Sequence, residues 1–226
     1  MPYEPSISPQ PFFSVVITTY NRAHLITRAL DSLIAQTETD WEALVVDDGS
    51  TDQTFVKIMP HLFSYPKIKY IRKIHSGESA SKNEGICASM GKYITFLDSD
   101  DEYSPDHLET RKKILMEEPS IRLLHGGVEI IGNPYVPDRF DHTKLVRLSE
   151  CAIGGTFFIE RNTLFQLNGF ENILVGTDAD LFERAKKQQL HIKETTLPTY
   201  IYHHEIQDSI TNSLYFNVAI LQRASA

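Results

Sequence analysis

The sequence contains only two cysteines, Cys87 and Cys151, among its 226 residues. Two cysteines cannot form the disulfide framework of a small secreted domain, so a reducing compartment is expected. The segment before Phe13 lacks the basic start and the apolar stretch of a signal peptide. Nowhere does the chain have 18 uninterrupted apolar residues, which argues against a membrane-spanning helix. The sequence therefore predicts a cytoplasmic protein.

Basic residues are scarce relative to acidic ones. The 22 Lys and Arg residues face 30 Asp and Glu residues, and the formal net charge is −8 at pH 7. This balance argues against a nucleic-acid binder that works by neutralising phosphates. The sequence also has no HExxH, CxxC or GxSxG motif, and segment 77–91 is neither a Walker A loop nor a GxGxxG turn. No metalloprotease, dithiol or serine-hydrolase signature is therefore present.

The first half alternates apolar and amphipathic segments. Segments rich in apolar and β-branched residues predict buried strands at 13–19, 41–46 and 93–97, and a further strand is predicted at 68–74. Segments with helical spacing follow each of them, at about 21–36, 50–62, 79–89 and 104–118. Asn21 is predicted to cap the first helix and Ser50 with Gln53 to form a capping box for the second, which Pro60 should break or kink. This order predicts an α/β fold, a doubly wound and mostly parallel sheet with helices on both faces.

The second half is less regular. Strands are predicted at 121–131, 151–159, 191–196 and 199–203, and helices at 163–168, 177–189 and 214–223. Residues 132–149, rich in Pro, Asp and Asn, predict a loop. The helix at 214–223 is amphipathic and would allow peripheral contact with a membrane. The oligomeric state cannot be inferred from these patterns.

Acidic residues follow two of the predicted strands. Asp47-Asp48 ends the second strand, and Asp98-Ser99-Asp100-Asp101 ends the fourth. Ligands of open parallel sheets bind at the carboxyl ends of the strands. Neighbouring carboxylates repel one another unless a cation joins them, so Asp98 and Asp100 predict a site for Mg²⁺ or Mn²⁺. The alternative without a ligand is that these residues are ordinary loop and helix-capping side chains.

Other polar side chains leave two interpretations open. Lys82 lies on the first turns of a helix whose N-terminus could face a phosphate, or on a solvated helix face. Cys87 is predicted to be a core residue, and Cys151 has no base beside it. His203 and His204 point to opposite faces of a strand and cannot readily bind one ion, so only one of them is expected to reach the site.

In order and content, three segments resemble the family 2 glycosyltransferases: FSVVITTYNR, VVDDGSTD and GESASKNEGICASMGKYITFLDSDD. Weaker likeness continues in FFIERNTLFQLNGFEN, GTDADLFERAKKQQL and YHHEIQDSIT. The resemblance implies a GT-A fold and an inverting transfer from a nucleotide-diphosphate sugar. It further implies a single domain over 1–226, with a nucleotide-binding half at about 12–118, an acceptor half at about 119–212 and a helix after it.

On the donor side, the resemblance implies that Tyr20, preceded by Thr18, packs on the nucleotide base. Asp48 matches the carboxylate that reads the base edge, typically uracil, so a UDP-sugar is expected. Lys82 stands where many members carry an arginine that faces phosphate. Asp98 and Asp100 match the DxD motif: Asp100 is expected to bind Mn²⁺ or Mg²⁺ directly, and Asp98 to contact ribose or metal through water, with Ser99 between them in the nucleotide site.

On the acceptor side, Asp178 matches the catalytic base, but Thr177 replaces the glutamate that usually precedes it. Gly154 and Gly155 match a small-residue segment near the acceptor, and His204 is placed on the same side. The acceptor is expected to be a glycan or a lipid-linked saccharide. The products would be a glycoside of inverted configuration and a nucleoside diphosphate.

Three other functions fit part of the sequence. A receiver domain would share the strand-end aspartates but is shorter and needs a lysine after its last strand. A nucleotidyltransferase would need a glycine-rich basic loop where Tyr20-Asn21-Arg22-Ala23 stands. A non-catalytic protein that binds nucleotide sugars would keep the fold, and the loss of the glutamate at Thr177 leaves that alternative open.

Overall fold

A computed structural model describes residues 10–139, 141, 144–173 and 176–205. In chain order its strands are β1 (Phe13–Thr19), β2 (Trp41–Asp47), β3 (Ile68–Arg72), β4 (Tyr93–Phe96), β5 (Glu102–Tyr103), β6 (Leu123–His125), β7 (Val128–Ile131), β8 (Tyr135–Pro137), β9 (Leu145–Arg147), β10 (Phe158–Glu160), β11 (Ile192–Glu194) and β12 (Tyr200–His203). Its helices are α1 (Ile26–Ile34), α2 (Thr54–Ser64), α3 (Glu78–Ala88), α4 (His107–Glu117), α5 (Arg161–Gln166) and α6 (Thr177–Lys187).

Seven strands form the main sheet, in the order β11-β6-β10-β4-β1-β2-β3. All neighbouring pairs are parallel except those of β10, which runs antiparallel to β4 and β6. The predicted doubly wound, mostly parallel α/β sheet is therefore confirmed. A small sheet, β5-β12-β7, and a hairpin of β8 and β9 complete the strands of the described part. None of the helices in the described part has the length and apolar character of a transmembrane segment.

The central strands are apolar because the sheet is covered on both faces. Every residue of β2 is buried, and two apolar clusters pack on opposite sides of the sheet. Two buried residues of β2 are acidic, Glu42 and Asp47. Glu42 accepts hydrogen bonds from Ser14 Oγ (2.7 Å), Lys69 Nζ (2.7 Å) and the Met90 N–H (2.6 Å). Glu42 thus ties β2 to β1, to β3 and to the turn before β4.

The loops after β1 and β2 are joined to each other. Asn21, with φ of 53°, accepts hydrogen bonds on Oδ1 from the Thr51 and Asp52 N–H groups, and its own N–H donates to Ser50 Oγ. The prediction that Asn21 and Ser50 cap α1 and α2 is therefore wrong, because contacts between the two loops occupy both side chains. Helix α2 also does not end at Pro60.

Two consecutive glycines divide the strand predicted at 121–131. Gly126 and Gly127 have φ of 89° and 74°, and a Cβ on Gly127 would lie 2.0 Å from the Leu197 carbonyl oxygen. The chain therefore leaves the main sheet after β6 and enters the small sheet as β7. The predicted loop at 132–149 contains the β8–β9 hairpin. The helix predicted at 214–223 lies outside the described residues.

Candidate active site

The loops after β1, β2 and β4 meet at one edge of the main sheet. The Asp48 N–H donates to the Thr19 carbonyl oxygen (2.9 Å), and the Leu97 N–H donates to the Val16 carbonyl oxygen (3.0 Å). Thr18 is half-buried near the end of β1, opposite Val46. The strand-end acids that the sequence singles out are thus neighbours in space, as expected for parallel strands.

Lys82 of α3 lies at the centre of this edge. Its side chain is 2% exposed, and its Nζ lies 2.6 Å from Glu78 Oε1, 3.6 Å from Asp98 Oδ1 and 3.7 Å from Asp178 Oδ1. The solvated helix face suggested for this lysine is wrong. One buried ammonium group joins an acid at the end of β4 to an acid in the first turn of α6, which are 80 positions apart in the sequence.

The charges of this group depend on one another. Burial would lower the pKa of Lys82, but Asp178, Asp98 and Glu78 raise it well above its ordinary value, so the ammonium stays charged. Burial, with the nearby carboxylates of Glu78, Asp100 and Asp178, raises the pKa of Asp98 to about 7 against the opposing effect of Lys82. The site holds more negative than positive charge and therefore favours the arrival of a cation.

Asp178 is held by groups from two other parts of the chain. It lies in the first turn of α6, after Gly176 in the left-handed conformation. Its Oδ2 accepts a hydrogen bond from the Gly154 N–H (2.9 Å), and a Cβ on Gly154 would lie 2.4 Å from Asp178 Oδ1. The Thr177 hydroxyl is 3.5 Å from the same Oδ1, at the limit of a hydrogen bond. The carboxylate therefore needs a residue without a side chain at position 154.

The four residues Asp98 to Asp101 divide by burial. Asp101 is buried and accepts hydrogen bonds from the Tyr200 hydroxyl (2.7 Å) and the His203 N–H (2.8 Å). Burial, with the charges of Asp100 and Asp98, raises the pKa of Asp101 well above its ordinary value. Asp101 thus anchors the loop to β12. Ser99 is also buried, and Arg28 of α1 donates to the Asp100 carbonyl oxygen.

Asp98 and Asp100 are the carboxylates of this loop that suit a divalent cation. Among the described residues, no three His, Cys, Asp or Glu side chains are placed to hold a metal ion together. Mg²⁺ and Mn²⁺ need fewer protein ligands, since they commonly take one or two carboxylates and complete their shell with phosphate and water oxygens. The Asp98 side chain is 27% exposed, so the chemistry of the donor set fits such an ion.

Tyr20 and Asp48 lie together, and His75 covers both. The Tyr20 and His75 rings are stacked, with centroids 4.1 Å apart and an angle of 23° between their planes. His75 Nδ1 lies 2.8 Å from Asp48 Oδ2. Burial would raise the pKa of Asp48, but the Ser76 and Gly77 N–H groups and Lys73 Nζ, which donate to it, bring it below the ordinary value. Asp48 is therefore an ionised acceptor, and segment 73–77 supplies most of the donors described for it.

The structure brings Gly155 close to the same edge. A Cβ on Gly155 would lie 2.2 Å from Tyr200 Cζ, and the Tyr200 hydroxyl also approaches the Asp98 N–H (3.4 Å). His204 is buried elsewhere: its N–H donates to the Ile131 carbonyl oxygen (2.8 Å) and its Nδ1 contacts the Asn133 carbonyl oxygen. His203 instead contacts Glu102 and Glu205 (2.7 Å each). Gly154 and Gly155 thus share one region with Asp178, whereas His204 contacts the end of β7.

Sequence reasoning missed three residues of this region. Glu78 had a signal, since it is placed one helical turn before Lys82 at the i, i+4 spacing of an ion pair. Tyr200 and His75 had none, because nothing in a strand or loop sequence shows which distant residue a ring will contact. The prediction that Cys87 is a core residue is wrong, since its side chain is exposed.

Known proteins resemble this chain in sequence or in fold. WfgD of Escherichia coli, described as a UDP-Glc:alpha-D-GlcNAc-diphosphoundecaprenol beta-1,3-glucosyltransferase, is 32% identical over 164 residues, which cover 70% of this chain and 62% of WfgD. TarS 1–349 of S. aureus, solved in complex with UDP-GlcNAc, matches with a TM-score of 0.73 and 21% identity over 92% of this chain and 64% of that one.

The mannosyltransferase PcManGT of Pyrobaculum calidifontis, solved with GDP-Man and Mn²⁺, gives a TM-score of 0.71 and 19% identity over 94% of this chain and 65% of that one. The chain spans less than two thirds of the length of each of these three proteins. The family model described as "Glycosyl transferase family 2" matches residues 14–142, more than half of the sequence. The strand-end acids and Lys82 lie within that match, and the chain therefore belongs to glycosyl transferase family 2.

Proposed function

We propose that this chain transfers a sugar from a nucleotide-diphosphate donor, a UDP-sugar, to an acceptor hydroxyl with inversion at the anomeric carbon. The observation that carries this proposal is the group around Lys82. It joins Asp98, at the carboxyl end of the strand that ends in the DxD sequence, to Asp178, in the first turn of α6. An acid that faces the donor and an acid that can act as a base are thereby held at one point.

The donor side is assembled from the loops after β1, β2 and β4. Tyr20, with Thr18 before it, would stack on the base, Asp48 would accept a hydrogen bond from a ring N–H of the base, and Ser99 would line the nucleotide site. Uracil carries such an N–H, and the names of WfgD and the TarS complex include UDP-sugars, which supports UDP. The GDP-Man of PcManGT makes GDP the matched comparison.

Asp98 and Asp100 would hold Mn²⁺ or Mg²⁺. When bound, such an ion neutralises the charge that develops on the leaving diphosphate. Lys82 adds a permanent positive charge beside Asp98, and its pairing with Glu78 fixes its position before the donor arrives. The site is therefore organised around charge before the substrates bind, which is the form of catalysis that lowers barriers most.

Asp178 would act as the general base. Its carboxylate would remove the proton of the acceptor hydroxyl while that oxygen attacks the anomeric carbon from the face opposite the leaving group. Its fixed position between the Gly154 N–H and Lys82 favours catalysis by placement. The absence of a side chain lets Gly154 lie against the Asp178 carboxylate and Gly155 against the Tyr200 ring, and we propose that this segment borders the acceptor. We propose a glycan or a lipid-linked saccharide as the acceptor, in line with the printed acceptor of WfgD.

The proposal is tested by comparing wild type with Asp178→Asn. Titration calorimetry of UDP and GDP, each with Mn²⁺ and then with EDTA, measures the donor site. Hydrolysis or transfer from UDP-sugars measures turnover. We expect UDP binding that depends on metal in both proteins and a loss of turnover of at least about a hundredfold in the variant, the usual contribution of a general base.

The outcomes separate the parts of the proposal. Turnover equal to wild type in Asp178→Asn would remove Asp178 as the base. Equal UDP binding with Mn²⁺ and with EDTA would contradict the proposed role of the metal ion in donor binding. Tight UDP binding without turnover on any sugar and acceptor would favour the non-catalytic sugar-nucleotide binder. Tighter binding of GDP than of UDP would show that the site prefers guanine to uracil, and the proposed donor would then be a GDP-sugar.

A further inference from the structure

His75 occupies a position that a nucleotide base would have to take. Its imidazole stacks on the Tyr20 ring, and its Nδ1 contacts Asp48 Oδ2 at 2.8 Å and the Asp48 carbonyl oxygen at 3.2 Å. Because the Asp48 carboxylate is ionised and can only accept, Nδ1 is the donor. The imidazole is therefore a planar ring that stacks on Tyr20 and donates an N–H to Asp48.

These are the two contacts that the proposed function gives to uracil. A ring that stacks on Tyr20 and also donates to Asp48 must lie over the face of Tyr20 next to Asp48, and His75 covers that face. The base and His75 therefore cannot make both contacts at the same time. We infer that His75 is an internal substitute for the nucleotide base, which the donor displaces when it binds; this inference rests on the proposed function.

The surroundings of His75 permit this exchange. Its side chain is 55% exposed, and the preceding Ile74 is 89% exposed, so neither is fixed by packing in the core. Gly77 follows with φ of 94°, and a Cβ there would meet no atom within 4 Å. The Ser76 and Gly77 N–H groups would keep two hydrogen bonds to Asp48 after His75 leaves. The stack on Tyr20 and the hydrogen bond of His75 to Asp48 would pass to the base.

The energy of the ring pair gives the size of the effect. A stacked pair of aromatic rings adds only a modest stabilising free energy beyond that of the apolar area it buries. The His75 ring would therefore cover Tyr20 in most molecules but not in all of them. The apparent affinity of a ligand is its intrinsic affinity multiplied by the fraction of molecules in which the binding site is open. Removal of the imidazole is therefore expected to raise the affinity for UDP about three- to tenfold.

The test compares wild type, His75→Ala and the matched control Ile74→Ala, which shortens the exposed neighbour in the same loop. Titration calorimetry with Mn²⁺ measures UDP, which carries the base, and inorganic pyrophosphate, which does not. We expect His75→Ala to bind UDP about three- to tenfold tighter than wild type and pyrophosphate equally well, and Ile74→Ala to match wild type. A crystal structure of the wild type with UDP should show uracil on Tyr20 and His75 displaced.

Equal or weaker UDP binding by His75→Ala, while wild type binds UDP, would overturn the inference and leave the proposed function standing. An equal gain for pyrophosphate would also overturn it, since the effect would not belong to the base. If neither protein binds UDP with Mn²⁺, the nucleotide site itself is wrong and the inference falls with it.

Discussion

Replacement of Lys82 by methionine is the sharpest perturbation of this site. Methionine keeps most of the length and the apolar contacts of the side chain but leaves Glu78, Asp98 and Asp178 without their shared cation. Removing one partner of a buried ion pair destabilises a protein by about 3–5 kcal/mol. Because the three carboxylates keep 26–36% of their side-chain surface exposed, we reduce this figure to about 2 kcal/mol.

The thermal assay follows from that magnitude. For a domain of this size, 1 kcal/mol corresponds to about 2–4 °C in Tm, so Lys82→Met should lower Tm by about 4–8 °C. Adding Glu78→Gln should restore part of the loss, because it removes the negative charge that lies nearest to the lost ammonium group. Lys187→Met, at an exposed lysine of α6, is the control and should leave Tm within about 1 °C.

Activity separates positioning from simple loss of stability. Assayed well below its Tm, Lys82→Met should lose transfer by more than about tenfold, because Asp178 loses one of the groups that orient it. A variant with the Tm and turnover of wild type would refute the reasoning, since the three carboxylates would then not depend on Lys82. A lowered Tm together with wild-type turnover of the folded protein would show that Lys82 contributes to stability and not to catalysis.

Two further changes test other contacts. A Cβ at Gly154 would lie 2.4 Å from Asp178 Oδ1, so Gly154→Ala should lower kcat about tenfold while calorimetry shows unchanged UDP affinity; an unchanged kcat would contradict this. Burial would raise the pKa of Glu42, but its hydrogen bonds with Lys69, Ser14 and Met90 lower this pKa below the ordinary value of 4.5. The ionised carboxylate therefore stabilises the fold above pH 4.5, and this stabilisation is lost as the pH falls through the lowered pKa. In urea unfolding, Glu42→Gln should therefore be less stable than wild type by about 1–3 kcal/mol at pH 7, with a smaller difference at pH 4; a difference independent of pH would count against the hydrogen-bonded carboxylate.

The strands were predictable because their signal is local. Segments 13–19 and 41–46 are rich in apolar and β-branched residues, and β1 and β2 match them to within one residue. The helix starts were less predictable, since capping residues compete with tertiary contacts. Asn21 and Ser50 have the right chemistry for caps, but the loop between them uses both side chains first.

Helix α3 shows why part of the site could not be inferred. Its buried residues are Ser79, Ser81, Lys82, Gly85 and Ile86, so its inner face is mostly polar or small. A search for apolar periodicity therefore places Cys87 inside and Lys82 outside, which reverses the structure. The reversal has a physical reason: Gly85 lies against Val16, with a Cβ there only 2.4 Å from Val16 Cγ1, so the helix packs closely on β1. That close approach buries the lysine of the preceding turn at the site.

Close packing of α3 on β1 also explains how acidic residues from the two halves of the chain contact the same lysine. The acid after β4 belongs to the first half of the chain, and Asp178 belongs to the second; the described contacts join them through Lys82. A charge held by packing in this way does not need to be ordered by the substrate, which is the condition under which electrostatic stabilisation is most effective. By contrast, the His75 side chain is exposed, and we propose that a nucleotide base displaces it. In the proposed function, the site would thus combine a fixed charge centre beside the reacting atoms with an exchangeable ring where the nucleotide binds.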